Sequence, residues 1–195
     1  KPNIEVTGDL TASYCGLAAN TIKQIRKGFE ERGVRVKCVF MLRDPVERCH
    51  SMIRMYQQKS FPDGHLGLDL SASEESLVLQ YHKTKHCRLL TCYDKTMENI
   101  EKSGFHPDDT FIGFYETFFT PSELSRFTRF LDLPLDLEFL DQKSNASRRK
   151  TVLSDDVRAQ VVDTYADTYR HCLARFPDLS FHWRGFEFLN VNAII

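Results

Sequence analysis

The sequence predicts an α/β fold built around a largely parallel sheet. Two apolar runs rich in β-branched and aromatic residues, at 34–42 and 110–115, are typical of buried strands. Each run leads into a segment with the period of an amphipathic helix. Strands that alternate with helices favour parallel pairing, since the helix carries the chain back across the sheet. The length of 195 residues suits one domain, and we expect a single domain over residues 1–195.

The chain begins with a predicted amphipathic helix over residues 20–32. Ile22, Ile25 and Phe29 recur there at helical spacing, with polar residues between them. Gly33 follows as a stop signal, because glycine readily adopts the backbone conformation that ends a helix.

A strand and a second helix follow. The run 34–42 is too continuous for a half-exposed strand, so we expect both of its faces to be covered, as in a parallel sheet. Pro45 suits the first turn of a helix that continues to about Gln58. Residues 74–103 also have a helical pattern.

Helix start signals mark the second half of the chain. Thr120, Pro121 and Glu123 form a capping box with proline at the first helical position, directly after the second strand. Ser154 precedes two aspartates and begins a last helix, whose apolar positions continue at helical spacing as far as Leu173.

Composition excludes several classes of protein. With 42% hydrophobic residues, 27% charged residues and a net charge of -1, the chain is neither a disordered protein nor one that coats nucleic acid. No apolar run is long enough to cross a bilayer, and no signal-peptide pattern opens the sequence. The six cysteines form no CxxC pair, which favours free thiols in a reducing compartment. We expect no nucleic-acid partner and no membrane segment in this sequence.

Arg43 stands where the first predicted strand gives way to a helix. In a parallel sheet this end of a strand faces the ligand, and the N-terminus of the next helix favours an anion. Ser51 lies on that helix and could donate its hydroxyl group to the same anion. In the alternative interpretation, Arg43 pairs with Asp44 or Glu47, and Ser51 is a small packing residue.

The stretch LRDPVERCHS, residues 42–51, resembles the 3′-phosphate-binding motif of sulfotransferases that use 3′-phosphoadenosine 5′-phosphosulfate (PAPS). The resemblance is strongest to the carbohydrate branch related to heparan sulfate sulfotransferases. It implies a P-loop-NTPase-like three-layer sandwich with a central parallel sheet. It also implies that Arg43 and Ser51 bind the 3′-phosphate of the nucleotide, a task for which the fork of an arginine is well suited.

Two further stretches are similar to elements of the same family. TGDLTASY, residues 7–14, stands where the family has a turn that lines the active-site cleft, although alanine replaces its usual proline. Asp9 is a candidate cleft carboxylate there, with a turn-capping role as the alternative. SNASRRKTVLSDD, residues 144–156, resembles the loop that grips the cofactor phosphates before the last long helix. Arg148, with Arg149 beside it, matches the basic residue of that loop; the alternative is a solvated basic turn.

One central element of the family is absent from these 195 residues. Sulfotransferases begin with a strand and a glycine-rich loop of the KxGTT or RxGTT type, which binds the phosphosulfate that is transferred. Either the natural chain extends upstream of Lys1, which we favour, or the module binds the nucleotide incompletely. The glutamate that commonly acts as general base follows that loop. Asp9 and His82 are the available substitutes, and for His82 the alternative is a surface histidine.

The resemblance therefore implies an enzyme that transfers a sulfuryl group from PAPS to a hydroxyl or amine of a carbohydrate or small-molecule acceptor. The product is 3′,5′-ADP (PAP), and the chemistry requires no metal. The alternative is a non-catalytic module that binds nucleotides or polyanions through the 3′-phosphate site alone. A P-loop kinase is disfavoured, because the sequence has no GxxxxGK[ST] motif. The free cysteines favour the cytoplasm, whereas an animal relative of this family would lie in the Golgi lumen.

Overall fold

A computed structural model describes residues 6–59, 65–135 and 151–189. The described residues form two compact units. Unit 1 comprises 6–42 and 95–135, and unit 2 comprises 43–59, 65–94 and 151–189. The single domain over 1–195 stays a prediction. Among the helices of the described residues, none combines the length and the apolar character that crossing a bilayer requires.

Unit 1 contains a small parallel sheet. Strand β1 (Cys38–Leu42) pairs with strand β2 (Thr110–Phe114), so that Cys38 lies opposite Thr110 and Leu42 opposite Phe114. Both strands fall within the predicted apolar runs, which confirms an α/β fold with parallel pairing. The rest of the described chain is mostly helical.

The two faces of β1 differ in burial. Phe40 and Leu42 are buried, whereas Val39 is 37% exposed and Met41 38% exposed. The prediction that both faces are covered is therefore wrong for the described residues. Side chains alternate between the faces of a strand, and Met41 lies opposite Gly113, which has no side chain to cover it. The Met41 Sδ atom lies over that glycine, 2.6 Å from where a Cβ would be.

Helix α1 (Ala19–Glu30) confirms the first predicted helix, but its apolar side is not buried. Ile25 is 42% exposed and Phe29 49% exposed. The helix ends as predicted, with Gly33 in the left-handed region at φ +74°.

The segment predicted to be helical divides into three helices, α3 (Glu74–Tyr81), α4 (Lys85–Thr91) and α5 (Tyr93–Lys102). Side-chain caps separate the first two. The hydroxyl of Ser73 accepts from the Ser76 N–H at the start of α3, and that of Thr84 accepts from the Cys87 N–H at the start of α4.

Two helices follow β2 in unit 1, the short α6 (Tyr115–Phe118) and α7 (Pro121–Phe130). Thr120 caps α7 by accepting from the Glu123 N–H, as its capping-box position predicts. An aromatic cluster holds α7 against β2, since the rings of Phe111 and Phe127 pack edge to face with centroids 5.0 Å apart.

The last predicted helix is broken at Tyr165. Helix α8 (Asp155–Thr164) and helix α9 (Ala166–Arg175) meet at this residue, whose backbone has φ -111° and ψ 21°. A continuous helix from Ser154 past Leu173 was the wrong prediction. The ring of Tyr165 is buried and its hydroxyl donates to the His82 carbonyl at 2.6 Å, so a distant contact overrides the local helical pattern.

Aromatic rings form the densest part of the core of unit 2. Trp183 lies just before the 3₁₀ helix Arg184–Phe188, where it stacks on Phe186 and meets the edge of Tyr169 in α9. The Tyr169 hydroxyl points from this cluster to the N-terminus of helix α2 (Pro45–Gln58), which has the predicted bounds.

Candidate functional site

Asp44 fixes the start of α2. Its Oδ1 accepts from the Val46 N–H at 2.9 Å and from the Tyr169 hydroxyl at 2.6 Å, and its Oδ2 accepts from the Gly185 N–H at 2.8 Å. Burial raises the pKa of Asp44, while these three donors act in the opposite direction. The helix N-terminus is thus tied to two later segments of unit 2.

Arg43 precedes this cap and lies at the predicted anion-binding end of α2. Its side chain is half-buried, and its carbonyl accepts from the Tyr93 hydroxyl at 2.8 Å, which holds the backbone of the junction. Glu47, which the alternative interpretation offered as a partner, forms an ion pair with Arg158 at 3.0 Å.

Ser51 is half-buried on α2, and Arg54 follows it by one helical turn on the same face. The Arg54 Nη2 atom donates to the carbonyl of Thr151 at 2.6 Å, and its Nε donates to Glu74 at 3.3 Å. This arginine therefore holds the chain at position 151 against the helix that carries Ser51.

Two glutamates at the start of α3 extend the contact. Glu74 Oε2 lies 2.6 Å from His50 Nε2, and Glu74 Oε1 accepts from the Thr151 hydroxyl at 3.3 Å. Glu75 accepts from the Ser154 N–H at 2.6 Å. Burial lowers the pKa of His50, although Glu74 acts in the opposite direction. Together these bonds join α2, α3 and the segment that leads into α8.

Arg148 and Arg149 lie outside the described residues, so their predicted contact with a phosphate stays a prediction. The described chain resumes at Thr151, three residues after Arg148.

Asp9 has a local structural role in unit 1. Its exposed carboxylate accepts from the Tyr14 hydroxyl and from the Thr11 hydroxyl, just before the 3₁₀ helix Ala12–Gly16. The hydrogen bond from Tyr14 lowers the pKa of Asp9, and a lower pKa makes a carboxylate a weaker base. This geometry favours the turn-capping alternative over the predicted catalytic role.

His82 is fully buried, which corrects the alternative interpretation of a surface histidine. Its Nδ1 donates to the Val78 carbonyl at 2.9 Å, one turn earlier in α3, and its own carbonyl accepts from Tyr165. Burial lowers the pKa of His82. An imidazole placed inside the core favours a packing role over the predicted role as general base.

The buried state of His82 predicts a loss of stability in mild acid. Below about pH 6.5 the imidazole of His82 takes up a proton in the unfolded chain, but burial opposes this in the folded chain. The free energy of unfolding therefore decreases as the pH decreases. Asparagine keeps a donor for the Val78 carbonyl but does not titrate. We therefore expect His82→Asn to lose less free energy of unfolding than the wild type as the pH decreases. Urea unfolding at about pH 7 and about pH 5 measures the difference, and parallel losses in both proteins would contradict the prediction.

Sequence reasoning identified Arg43 and Ser51 but missed Arg54 and Glu74. The position of Arg54, one turn after Ser51 on α2, was a usable signal. Nothing local in the sequence connects Glu74 with Thr151. Within residues 6–59, 65–135 and 151–189, no group of three or more histidine, cysteine, aspartate or glutamate side chains is placed to hold a metal ion.

Comparisons with known proteins give no relative. No protein-family model matches the sequence, and neither a curated protein nor a solved structure is significantly similar to the chain.

Proposed function

We propose that this protein binds the 3′-phosphate of PAPS through Arg43 and Ser51 and acts as a PAPS-dependent sulfotransferase on a carbohydrate or small-molecule acceptor. The single observation that carries the proposal is the contact between Arg54 and Thr151. It brings Thr151, within the family-like stretch 144–156, onto the helix that carries Ser51.

The N-terminal geometry of α2 supports the anion site. The helix dipole favours negative charge at this end, where the Val46 N–H already donates to Asp44, and Arg43 adds a guanidinium group beside it. Between Pro45 and Ser51 the helix rises by about 9 Å, a span that the long Arg43 side chain would partly cover if it extended along the helix. A phosphate could then accept from Arg43 and from the Ser51 hydroxyl.

The reaction in this proposal is an in-line displacement at sulfur. The acceptor oxygen forms a bond to sulfur while the bond from sulfur to the bridging oxygen of PAPS breaks, and the electron pair of the broken bond leaves with PAP. The acceptor proton passes to a general base. Arg43 and Ser51 would bind and orient the nucleotide, while Arg148 and Arg149 would add charge against the same phosphates.

The proposal also implies the three-layer, P-loop-NTPase-like fold of sulfotransferases. The parallel pairing of β1 and β2 supports it, since each strand leads directly into a helix at its carboxyl end. A second candidate function is nucleotide binding without transfer.

Calorimetry with two nucleotides tests the 3′-phosphate site. PAP and adenosine 5′-monophosphate (AMP) differ only in the 3′-phosphate, so we expect the wild type to bind PAP at least about 30-fold more tightly. Arg43→Ala should weaken PAP binding by about 2–4 kcal/mol, and Ser51→Ala by about 1–2 kcal/mol. The affinity for AMP should change little in either variant.

Arg88→Ala is the matched control, because it removes one exposed arginine from α4 in the same unit. Its affinity for PAP should equal that of the wild type. Equal binding of PAP and AMP by the wild type would overturn the site. PAP release from PAPS in the presence of an acceptor panel would support the enzyme, and PAP binding without turnover would favour the second candidate.

A further inference from the structure

Two buried cysteines meet in unit 2. Cys49 in α2 and Cys87 in α4 are both fully buried, and their Sγ atoms lie 3.3 Å apart. A disulfide requires a sulfur separation of about 2.05 Å, so the two atoms must approach by about 1.3 Å. Cysteines that occur singly in the sequence thus form a pair across two helices.

Hydroxyl groups surround the sulfur of Cys87. The Thr91 Oγ1 atom lies 3.6 Å away and accepts from Arg48 at 3.2 Å, which leaves its own proton free to point at the sulfur. The Tyr165 hydroxyl lies 3.2 Å away. Its single proton reaches the His82 carbonyl when Cys87 is a thiol, and can turn to the sulfur when the thiolate forms.

This arrangement stabilises a negative charge on one sulfur of the pair. The Cys49 thiol, acting as a donor, lowers the pKa of Cys87 to about 7, and Tyr165, Thr91 and Arg48 act in the same direction. The same pairing raises the pKa of Cys49. Cys172, also buried, is a useful contrast, because burial raises its pKa to about 12. The arrangement therefore favours ionisation of Cys87 over that of Cys49.

We propose that Cys87 is an oxidation site for hydroperoxides and that Cys49 is its resolving partner. The proposal goes beyond sulfuryl transfer and does not depend on it. It rests on the contact between the two sulfurs and on the donors around Cys87. The product is a disulfide that joins α2 to α4.

The chemistry balances in two steps. The Cys87 thiolate attacks one oxygen of hydrogen peroxide, the O–O bond breaks, and sulfenic acid and hydroxide form; the sulfur is oxidised and the peroxide reduced. The Cys49 sulfur then attacks the Cys87 sulfur, loses its proton and displaces the hydroxyl group as water. Hydrogen peroxide is small enough to reach a buried sulfur during local opening of the structure.

Peptide mapping of the whole reduced chain tests the proposal. The chain is treated with increasing hydrogen peroxide near neutral pH, its remaining thiols are blocked, and it is digested with trypsin without reductant. We expect a linked peptide that joins Cys49–Arg54 to His86–Arg88, with a mass lower by two hydrogen atoms than the two peptides together. Oxidation of Cys87 should be at least about tenfold faster than that of Cys172.

Two variants test which cysteine carries out each step of the oxidation. In Cys49→Ser, Cys87 should accumulate as a sulfenic acid that dimedone labels, and in Cys87→Ser, Cys49 should stay reduced at the same dose. The wild-type measurement decides the proposal even if a variant fails to fold. Oxidation of Cys172 before Cys87, or absence of the linked peptide once Cys87 is oxidised, would overturn it.

Discussion

Asp44→Ala is expected to lower the free energy of unfolding by about 3–5 kcal/mol, a loss at the upper end for a single substitution. The variant loses the N-cap of α2, worth about 1 kcal/mol. It also leaves the Tyr169 hydroxyl and the Gly185 N–H buried without the carboxylate oxygens that accept from them. Each such group costs about 1–3 kcal/mol. Urea unfolding measures the loss.

Ser73→Ala is the control that separates the stability effect of a helix cap from that of the buried hydrogen bonds of Asp44. Ser73 caps α3 in the same unit, but it is exposed, and its hydroxyl accepts from the Ser76 N–H. We expect this control to lose about 1 kcal/mol. Equal losses in the two variants would show that the bonds from Tyr169 and Gly185 add nothing to stability. In the expected case, the start of α2, and with it Arg43, depends on those distant donors.

Local signals were enough to predict α2. Proline at the first helical position and aspartate before it define where the helix starts, and both act within the span of a single turn. The start of β1 was harder to predict from local sequence. The apolar run begins at position 34, but the strand begins at Cys38, because Arg35 and Lys37 turn to distant acids in unit 1, Asp109 and Asp132. Those partners are separated from them by more than seventy residues.

Contacts between distant residues also decided where prediction failed. The break at Tyr165 and the backbone of buried His82 are linked by one hydrogen bond, between residues 83 apart in the sequence. No helical period or local motif contains that information. The candidate site likewise contains residues that a local motif predicts and residues that only distant contacts bring together. Arg43 and Ser51 belong to one short motif, whereas Arg54 and Thr151 meet across 97 residues and only the structure places them together.

Gly185→Ala is expected to cost about 3 kcal/mol or more, the second large loss in unit 2. A Cβ atom at this position would overlap the hydroxyl oxygen of Tyr169 and would lie 2.8 Å from its Cε1. The ring cannot easily move away, because it is fully buried between Trp183 and Phe186 and its hydroxyl donates to Asp44. The methyl group must therefore displace the ring, the cap of α2 or both. Urea unfolding again gives the loss.

Two comparisons show whether the clash is the cause. Gly28→Ala makes the same change inside α1, where only the flexible Arg32 side chain lies near the new methyl group, and should raise stability by about 0.5–1 kcal/mol. Tyr169→Phe removes the atom that the Cβ of residue 185 would overlap first. The double variant should therefore lose less than the sum of the single losses, by at least about 0.5 kcal/mol. Strict additivity would mean that Gly185 acts through its own backbone and that the Tyr169 hydroxyl is not the cause of the loss.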